Sequence, residues 1–124
     1  MKKVQTDKAP AAIGPYSQAM VSGKFLFSSG QVPLDPETGA AVGSTIQEQA
    51  ERCCLSIQAI LEACGAGFEN VVKTTCFLSD MDNFAAFNQV YSKYFTSKPA
   101  RSCVAVKTIP KNLLCEIEFI AELP

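Results

Sequence analysis

Leu114-Cys115-Glu116-Ile117-Glu118-Phe119-Ile120-Ala121-Glu122-Leu123 decides the fold. Successive side chains of a strand point to opposite faces. Cys115, Ile117, Phe119, Ala121 and Leu123 therefore share one face, and Glu116, Glu118, Ile120 and Glu122 share the other. The first set needs an apolar cover. Two upstream segments can supply it as helices. In the first, Thr45 and Glu48 form a capping-box signature. Apolar residues then recur at Ile46, Ala50, Cys53, Ile57, Ile60, Leu61 and Cys64, the spacing of one helix face. Gly65 and Gly67 supply its stop. In the second, Asp80 or Asp82 is the cap, and Phe84, Phe87, Val90, Tyr91 and Tyr94 form the inner face.

The remaining segments read as strands. A short one lies near Lys3-Val4-Gln5. A hairpin follows, with strands at Ala19–Ser22 and Phe25–Ser29 joined at Ser22-Gly23-Lys24. Turn chemistry fills Val32–Gly39. Val71–Leu78 is the clearest strand, and Ser102–Val106 precedes a Pro110-Lys111-Asn112 turn. The order is β-β-β-α-β-α-β-β, an α+β chain read as one domain over residues 1–124 with both helices on one sheet face. Val71–Leu78 is apolar on both faces, with Val71 and Phe77 on one and Val72, Cys76 and Leu78 on the other. Phe25 and Phe27 oppose Leu26 in the same way. Two helices cover only one face, so the other calls for a second cover, and another copy of the chain would serve.

Composition narrows the chemistry. The net charge is −1, with no lysine cluster, which argues against nucleic-acid binding. No apolar run is long enough to span a membrane. The N-terminus lacks the apolar stretch of a secretory signal, so the cytoplasm is the expected compartment, an organelle such as the mitochondrion also being compatible. Six cysteines are present without a C-x-x-C pair, and histidine is absent. Neither a zinc site nor another metal or cofactor is expected. Ser-His and Cys-His nucleophilic catalysis is excluded. Acid–base work falls to Asp, Glu, Tyr, Lys or water.

Pro99-Ala100-Arg101-Ser102-Cys103-Val104 places one of the chain's two arginines at a strand entry. Pro99 disfavours helical backbone at Lys98. A guanidinium fixed there can hold a carboxylate with two parallel hydrogen bonds. It can equally be a surface arginine paired with a glutamate. If Ser102–Val106 paired with the last strand across the Pro110 turn, Arg101 and Glu116 would sit at opposite ends of that register.

Several stretches together resemble the Rid family of reactive-intermediate (enamine/imine) deaminases, also described as liver perchloric-acid-soluble proteins. They are Gly14-Pro15-Tyr16-Ser17-Gln18-Ala19, Ser29-Gly30-Gln31, Phe87-Asn88-Gln89-Val90-Tyr91, Pro99–Val104 and Glu116-Ile117-Glu118. The resemblance covers nearly the whole chain. It implies a chorismate-mutase-like (RidA-like) mixed sheet, and a homotrimer with a small-ligand cleft at each subunit boundary. It also implies hydrolysis of 2-aminoacrylate-type enamines and 2-imino acids to 2-keto acids and ammonia. Arg101 would clamp the carboxylate and Glu116 would activate water. Tyr16, Ser29, Gly30, Asn88 and the Cys103 backbone would line the substrate site. On residue type alone, Tyr16 and Ser29 could be structural, Asn88 a solvent-facing amide and Glu116 an ordinary strand carboxylate. Cys115 departs from the aliphatic residue usual before that glutamate; strand parity turns its side chain away from Glu116. An endoribonuclease or translation-inhibitor activity is also attached to the family. A non-enzymatic small-molecule-binding or chaperone-like protein could use the same clefts.

Overall fold

The computed structural model describes residues Met1–Pro124. The strands are β1 (Lys2–Val4), β2 (Ala19–Ser22), β3 (Phe25–Ser28), β4 (Val71–Leu78), β5 (Ala100–Ala105) and β6 (Cys115–Glu122). The helices are α1 (Ile46–Ala63), between β3 and β4, and α2 (Phe84–Tyr94), between β4 and β5. The order is the one expected from the sequence. The strands form one mixed sheet ordered β1-β2-β3-β6-β4-β5, antiparallel except for the parallel β4–β5 pair.

α1 begins with the capping box: the Thr45 hydroxyl accepts from the Glu48 amide, and the Glu48 carboxylate accepts from the Thr45 amide. Such a cap contributes ~1 kcal/mol. Beyond the C-cap Cys64, Gly65 takes a left-handed φ of 69°, where a side chain would be strained. Asp80 caps the short 3-10 turn Met81–Asn83 that leads into α2, rather than α2 itself. Phe87, Val90 and Tyr91 are buried on α2's inner face, and Phe84 and Tyr94 are half-buried.

The core lies between the helices and one sheet face. Cys115, Ile117, Phe119 and Ala121 are buried, whereas Glu118 and Glu122 are exposed. Each fully buried residue such as Leu26, Ile57, Phe87 or Ile117 contributes about 1.5–3 kcal/mol relative to exposure. All six cysteines are free thiols. Cys115 points into this core, its sulfur 3.8 Å from that of Cys53.

One expectation is corrected, and one conditional pairing does not occur. Val71 lies in the core with Thr74, Cys76 and Leu78, and Val72 is outside. A bulge between Val71 and Lys73 against β6 inserts one residue and reverses the parity at the strand's start. Nor do β5 and β6 pair. The α2 crossover returns β5 parallel to β4, making β5 an edge strand, while β6 lies between β3 and β4.

The second sheet face is open. Phe25, Phe27, Val72 and Val104 are each between 39% and 46% exposed, with Phe77 and Ile120 half-buried beside them. A chain that leaves this much hydrocarbon on one sheet face in water has a surface suited to association.

Candidate active site

Arg101 and Glu116 occupy opposite faces of the sheet. Arg101 is in register with Thr74, which is buried beneath the helices. Glu116 is in register with Phe77, on the open face. Each borders its own cleft.

The arginine half is built by α2 and the start of β5. Helix α2 ends at Tyr94, and Lys98 takes a φ of 55° before Pro99, turning the chain into the strand. The Arg101 guanidinium lies over the Tyr91 ring at 4.6 Å and near the Phe84 ring at 5.5 Å. One of its terminal nitrogens donates to the Asn88 side-chain oxygen at 2.8 Å. Aromatic faces attract a cation, and more strongly when it is partly desolvated. Tyr91 is itself fixed by a buried 2.7 Å hydrogen bond between its hydroxyl and that of Thr74. Burial pushes the Tyr91 hydroxyl up to about 12, so it stays neutral. The result is a guanidinium held on one side, with its other donors free for a ligand. The cleft here, about 430 Å³, is bordered by Asn88, Tyr91, Pro99 and Arg101.

The carboxylate half is built by the passage from β3 to β6. Phe27 pairs with Ile120, and beyond it Gln31 bridges Ile117, so Ser28, Ser29 and Gly30 face only Glu118 and Phe119. The Ser28 hydroxyl takes the Phe119 amide at 2.9 Å, filling the gap in the ladder. Gly30 packs directly on Glu116: a Cβ there would fall 1.9 Å from a carboxylate oxygen. The Ser29 hydroxyl donates to the Ser17 carbonyl at 2.5 Å, leaving its lone pairs to accept. Tyr16 is 53% exposed at the rim. Its loop is tied down by Gln18, which is buried, accepts from the Thr6 amide and donates to the carbonyls of Thr6, Ala9 and Pro10. Tyr16, Ser29, Gly30 and Glu116 border a cleft of about 700 Å³.

Partial burial raises the Glu116 carboxyl above its ordinary value of 4.5, with the negative charge of Glu118 adding to the effect. Nothing cationic offsets either cause. A carboxylate of raised pKa is a better proton acceptor near neutral pH. Cys103 is half-buried on the same side of β5 as Arg101. Burial raises its thiol pKa, against a smaller opposing effect of Arg101, so the thiol is protonated and a poor nucleophile. No group of His, Cys, Asp and Glu side chains is arranged to hold a metal ion.

The sequence residues thus gather into two sets: Arg101 and Asn88, with Cys103 on the strand beside them, and Tyr16, Ser29, Gly30 and Glu116. Tyr91, Phe84, Thr74 and Gln18 also shape these sets. The first two read as helix core in the sequence. Thr74 carried no signal apart from its strand, and Gln18 only its place in the Gly14–Ala19 stretch.

Residues 6–123 match the family described as Endoribonuclease L-PSP. The chain belongs to this family, in which the Rid deaminases also fall. The 2-iminobutanoate/2-iminopropanoate deaminase of Salmonella typhimurium is 44% identical over 124 residues, covering 97% of this chain and 96% of that protein. A Thermotoga maritima protein provisionally assigned as an endoribonuclease has a solved structure with a TM-score of 0.97 and 53% identity, covering 100% of this chain and 98% of that one. The solved structure of Escherichia coli TdcF with bound serine superposes with a TM-score of 0.94 at 38% identity, covering 100% of both chains. The two-helix, six-stranded architecture of this Rid family member is the family fold. No helix is long and apolar enough to cross a membrane.

Proposed function

We propose that this Rid family protein hydrolyses reactive 2-enamine and 2-imino acids to 2-keto acids and ammonia. The active assembly is a homotrimer in which the arginine half-cleft of one protomer faces the carboxylate half-cleft of the next. One observation carries the reading: Arg101 and Glu116, the two groups the reaction needs, sit in separate open half-clefts on opposite faces of one sheet. Two copies must meet for one substrate to touch both. The exposed Phe25, Phe27, Val72 and Val104 supply hydrocarbon for that contact.

The chemistry follows from the groups. Arg101 binds the substrate carboxylate through paired N–H donors, oriented by Asn88 and the Tyr91 ring. The backbone at Cys103 lies along the same strand and borders the bound acid. A water beside Glu116 attacks C2 of the protonated imine, forming a C–O bond while Glu116 takes the water proton. The tetrahedral carbon then expels its nitrogen. Glu116 returns that proton to the amine nitrogen, then takes the C2 hydroxyl proton as the C–N bond breaks, so the C2 oxygen becomes the keto oxygen, and the departing ammonia carries this last proton away from Glu116. One water is consumed, one ammonium leaves, and no electron is exchanged. Ser29 and Tyr16 offer hydroxyl oxygens to the polar substituents of C2.

The relationship to an iminobutanoate deaminase supports the substrate class. The family's endoribonuclease description favours a second reading, RNA cleavage. A net charge of −1 with two arginines speaks against it, because RNA binding draws mainly on cations meeting phosphates. The test couples a threonine dehydratase to the purified protein and follows 2-oxobutanoate release, with oligomeric state measured by light scattering. Accelerated release by a trimer, lost in Arg101→Ala, is the expected result. A monomer at micromolar concentration, or full activity in trimeric Arg101→Ala, overturns the assignment.

A further inference from the structure

We infer that Thr74 is a positioning residue for the substrate carboxylate. Acting through the Tyr91 ring, it fixes the direction of the Arg101 guanidinium and so sets how tightly the carboxylate is held. The inference rests on the imino-acid reading above and assigns affinity for the acid to a residue that does not touch it.

Every contact involved lies within one protomer, on the helix-covered face of the sheet. β4 and β5 run parallel with Thr74 in register with Arg101, so the two side chains stand side by side. Helix α2 lays Tyr91 against both. The guanidinium sits over the ring, 4.6 Å from its centre, and the ring hydroxyl meets the Thr74 hydroxyl at 2.7 Å. The Tyr91 ring is also stacked on Phe95, with centroids 4.3 Å apart and planes at 21°. Stacking restrains the tilt of a ring but leaves it free to slide in its own plane. The hydroxyl bond to Thr74 stops that slide.

Nothing else nearby does the same work. Thr74 is fully buried and Tyr91 is 8% exposed, so bulk water replaces neither partner. Removing one hydroxyl leaves the other buried and unpaired. The easiest relief is for Tyr91 to shift until its hydroxyl reaches the cleft it borders, which takes the ring from beneath the guanidinium. Asn88 accepts a single N–H of Arg101, at 2.8 Å, and one bond leaves rotation about it free. The Phe84 ring is the more distant, at 5.5 Å. Two parallel donors aimed at a carboxylate need the ring as well.

The effect should fall on binding rather than on turnover. The carboxylate keeps its charge from imine through transition state to keto acid, so a looser clamp weakens all three alike. Uniform loss of binding raises KM and leaves kcat unchanged.

Thr74→Val keeps the shape of the side chain and removes the hydroxyl. A cation–π contact or a net hydrogen bond corresponds to about a threefold to tenfold change in affinity. Calorimetric binding of 2-oxobutanoate should weaken by that factor. KM in the dehydratase-coupled assay should rise in step, with kcat within about twofold of wild type. Thr74→Ser, which restores a hydroxyl, should recover the wild-type values. Tyr91→Phe breaks the same bond from the other side and should reproduce the Thr74→Val result. In an Arg101→Ala background, Thr74→Val should leave kcat/KM unchanged, which a general loss of packing would not do. Light scattering checks the assembly of each variant. Wild-type affinity in trimeric Thr74→Val and Tyr91→Phe, a fall in kcat at unchanged KM, or an equal loss with and without Arg101 overturns the inference and leaves the hydrolysis reading standing. A wild-type protein that binds 2-oxobutanoate but hydrolyses no imine, with binding still weakened by Thr74→Val, sustains the positioning role and refutes hydrolysis. Failure of the wild-type protein to bind the acid refutes both.

Discussion

Gly30→Ala should separate activity from stability. The added Cβ would lie 1.9 Å from a Glu116 carboxylate oxygen, 2.7 Å from the carboxyl carbon and 3.0 Å from Cγ. All three atoms belong to a side chain that borders an open cleft, so Glu116 can swing away without moving backbone. The stability cost should therefore sit near the low end of the ~1–3 kcal/mol typical of overpacking. Turnover should fall much further, because the displaced carboxylate no longer reaches the water. General-base catalysis is worth about 10²–10⁴-fold, so Gly30→Ala should lose at least about two orders of magnitude in kcat. Binding of 2-oxobutanoate, which draws on Arg101, should change only modestly. The assay is coupled imine hydrolysis beside calorimetric binding and thermal unfolding, with Glu116→Ala as reference. A trimeric Gly30→Ala protein with wild-type kcat would refute Glu116 as the group that activates water.

Arg101→Ala should cost about one to two orders of magnitude in kcat/KM, at ~1.5–3 kcal/mol per charge-assisted bond, and Arg101→Lys should fail to restore it because the planar fork is lost; the coupled assay reads both. Cys103→Ala should keep most of its activity, since burial keeps the thiol protonated, and complete loss in an intact trimer would require a thiol mechanism. Glu116→Gln should stabilise the protein at neutral pH but not at pH 4, as measured by urea unfolding. Raising the folded pKa of a carboxyl makes the folded state bind the proton more tightly. Stability is therefore lost as pH rises from the unfolded value through the folded one, and the amide removes that loss. For the same reason the acid limb of kcat/KM should lie above the ordinary glutamate range.

Local patterns carried most of the fold. The alternation of Cys115–Leu123, the capping box at Thr45 and the helical spacing of Ile46–Leu61 each depend on nearby residues, and the structure follows them. What the sequence hid depends on pairing. The Val72 bulge exists only against β6, and no property of Val71 or Val72 marks it. The parallel placement of β5 follows from the α2 crossover rather than from the Pro110 turn that suggests a hairpin. The candidate site divides along the same line. The place of Arg101 at a strand entry was legible, while its role came only from the family resemblance. Its aromatic support was hidden, because Tyr91 and Phe84 have the spacing of ordinary core residues. Gly30 could be read as a strand stop, but its contact with Glu116 requires knowing that Gln31 bridges Ile117.

The position of β5 at the sheet edge accounts for both the opportunity and the constraint in the proposed mechanism. An edge strand can present a side chain at the margin of its own protomer, where a neighbour can reach it. Arg101 is so placed, yet its ring contacts come from α2 on the covered face, which keeps the guanidinium from collapsing onto the sheet. Glu116 lies on the central strand β6, where Gly30 on the adjoining segment fixes its direction and the open face leaves it reachable. Within one chain the sheet itself stands between the two groups, so no side-chain rotation unites them. In the proposed trimer the contact that covers Phe25, Phe27, Val72 and Val104 also closes the cleft. The hydrocarbon that would be a liability in a lone chain then becomes the means by which two incomplete sites form one.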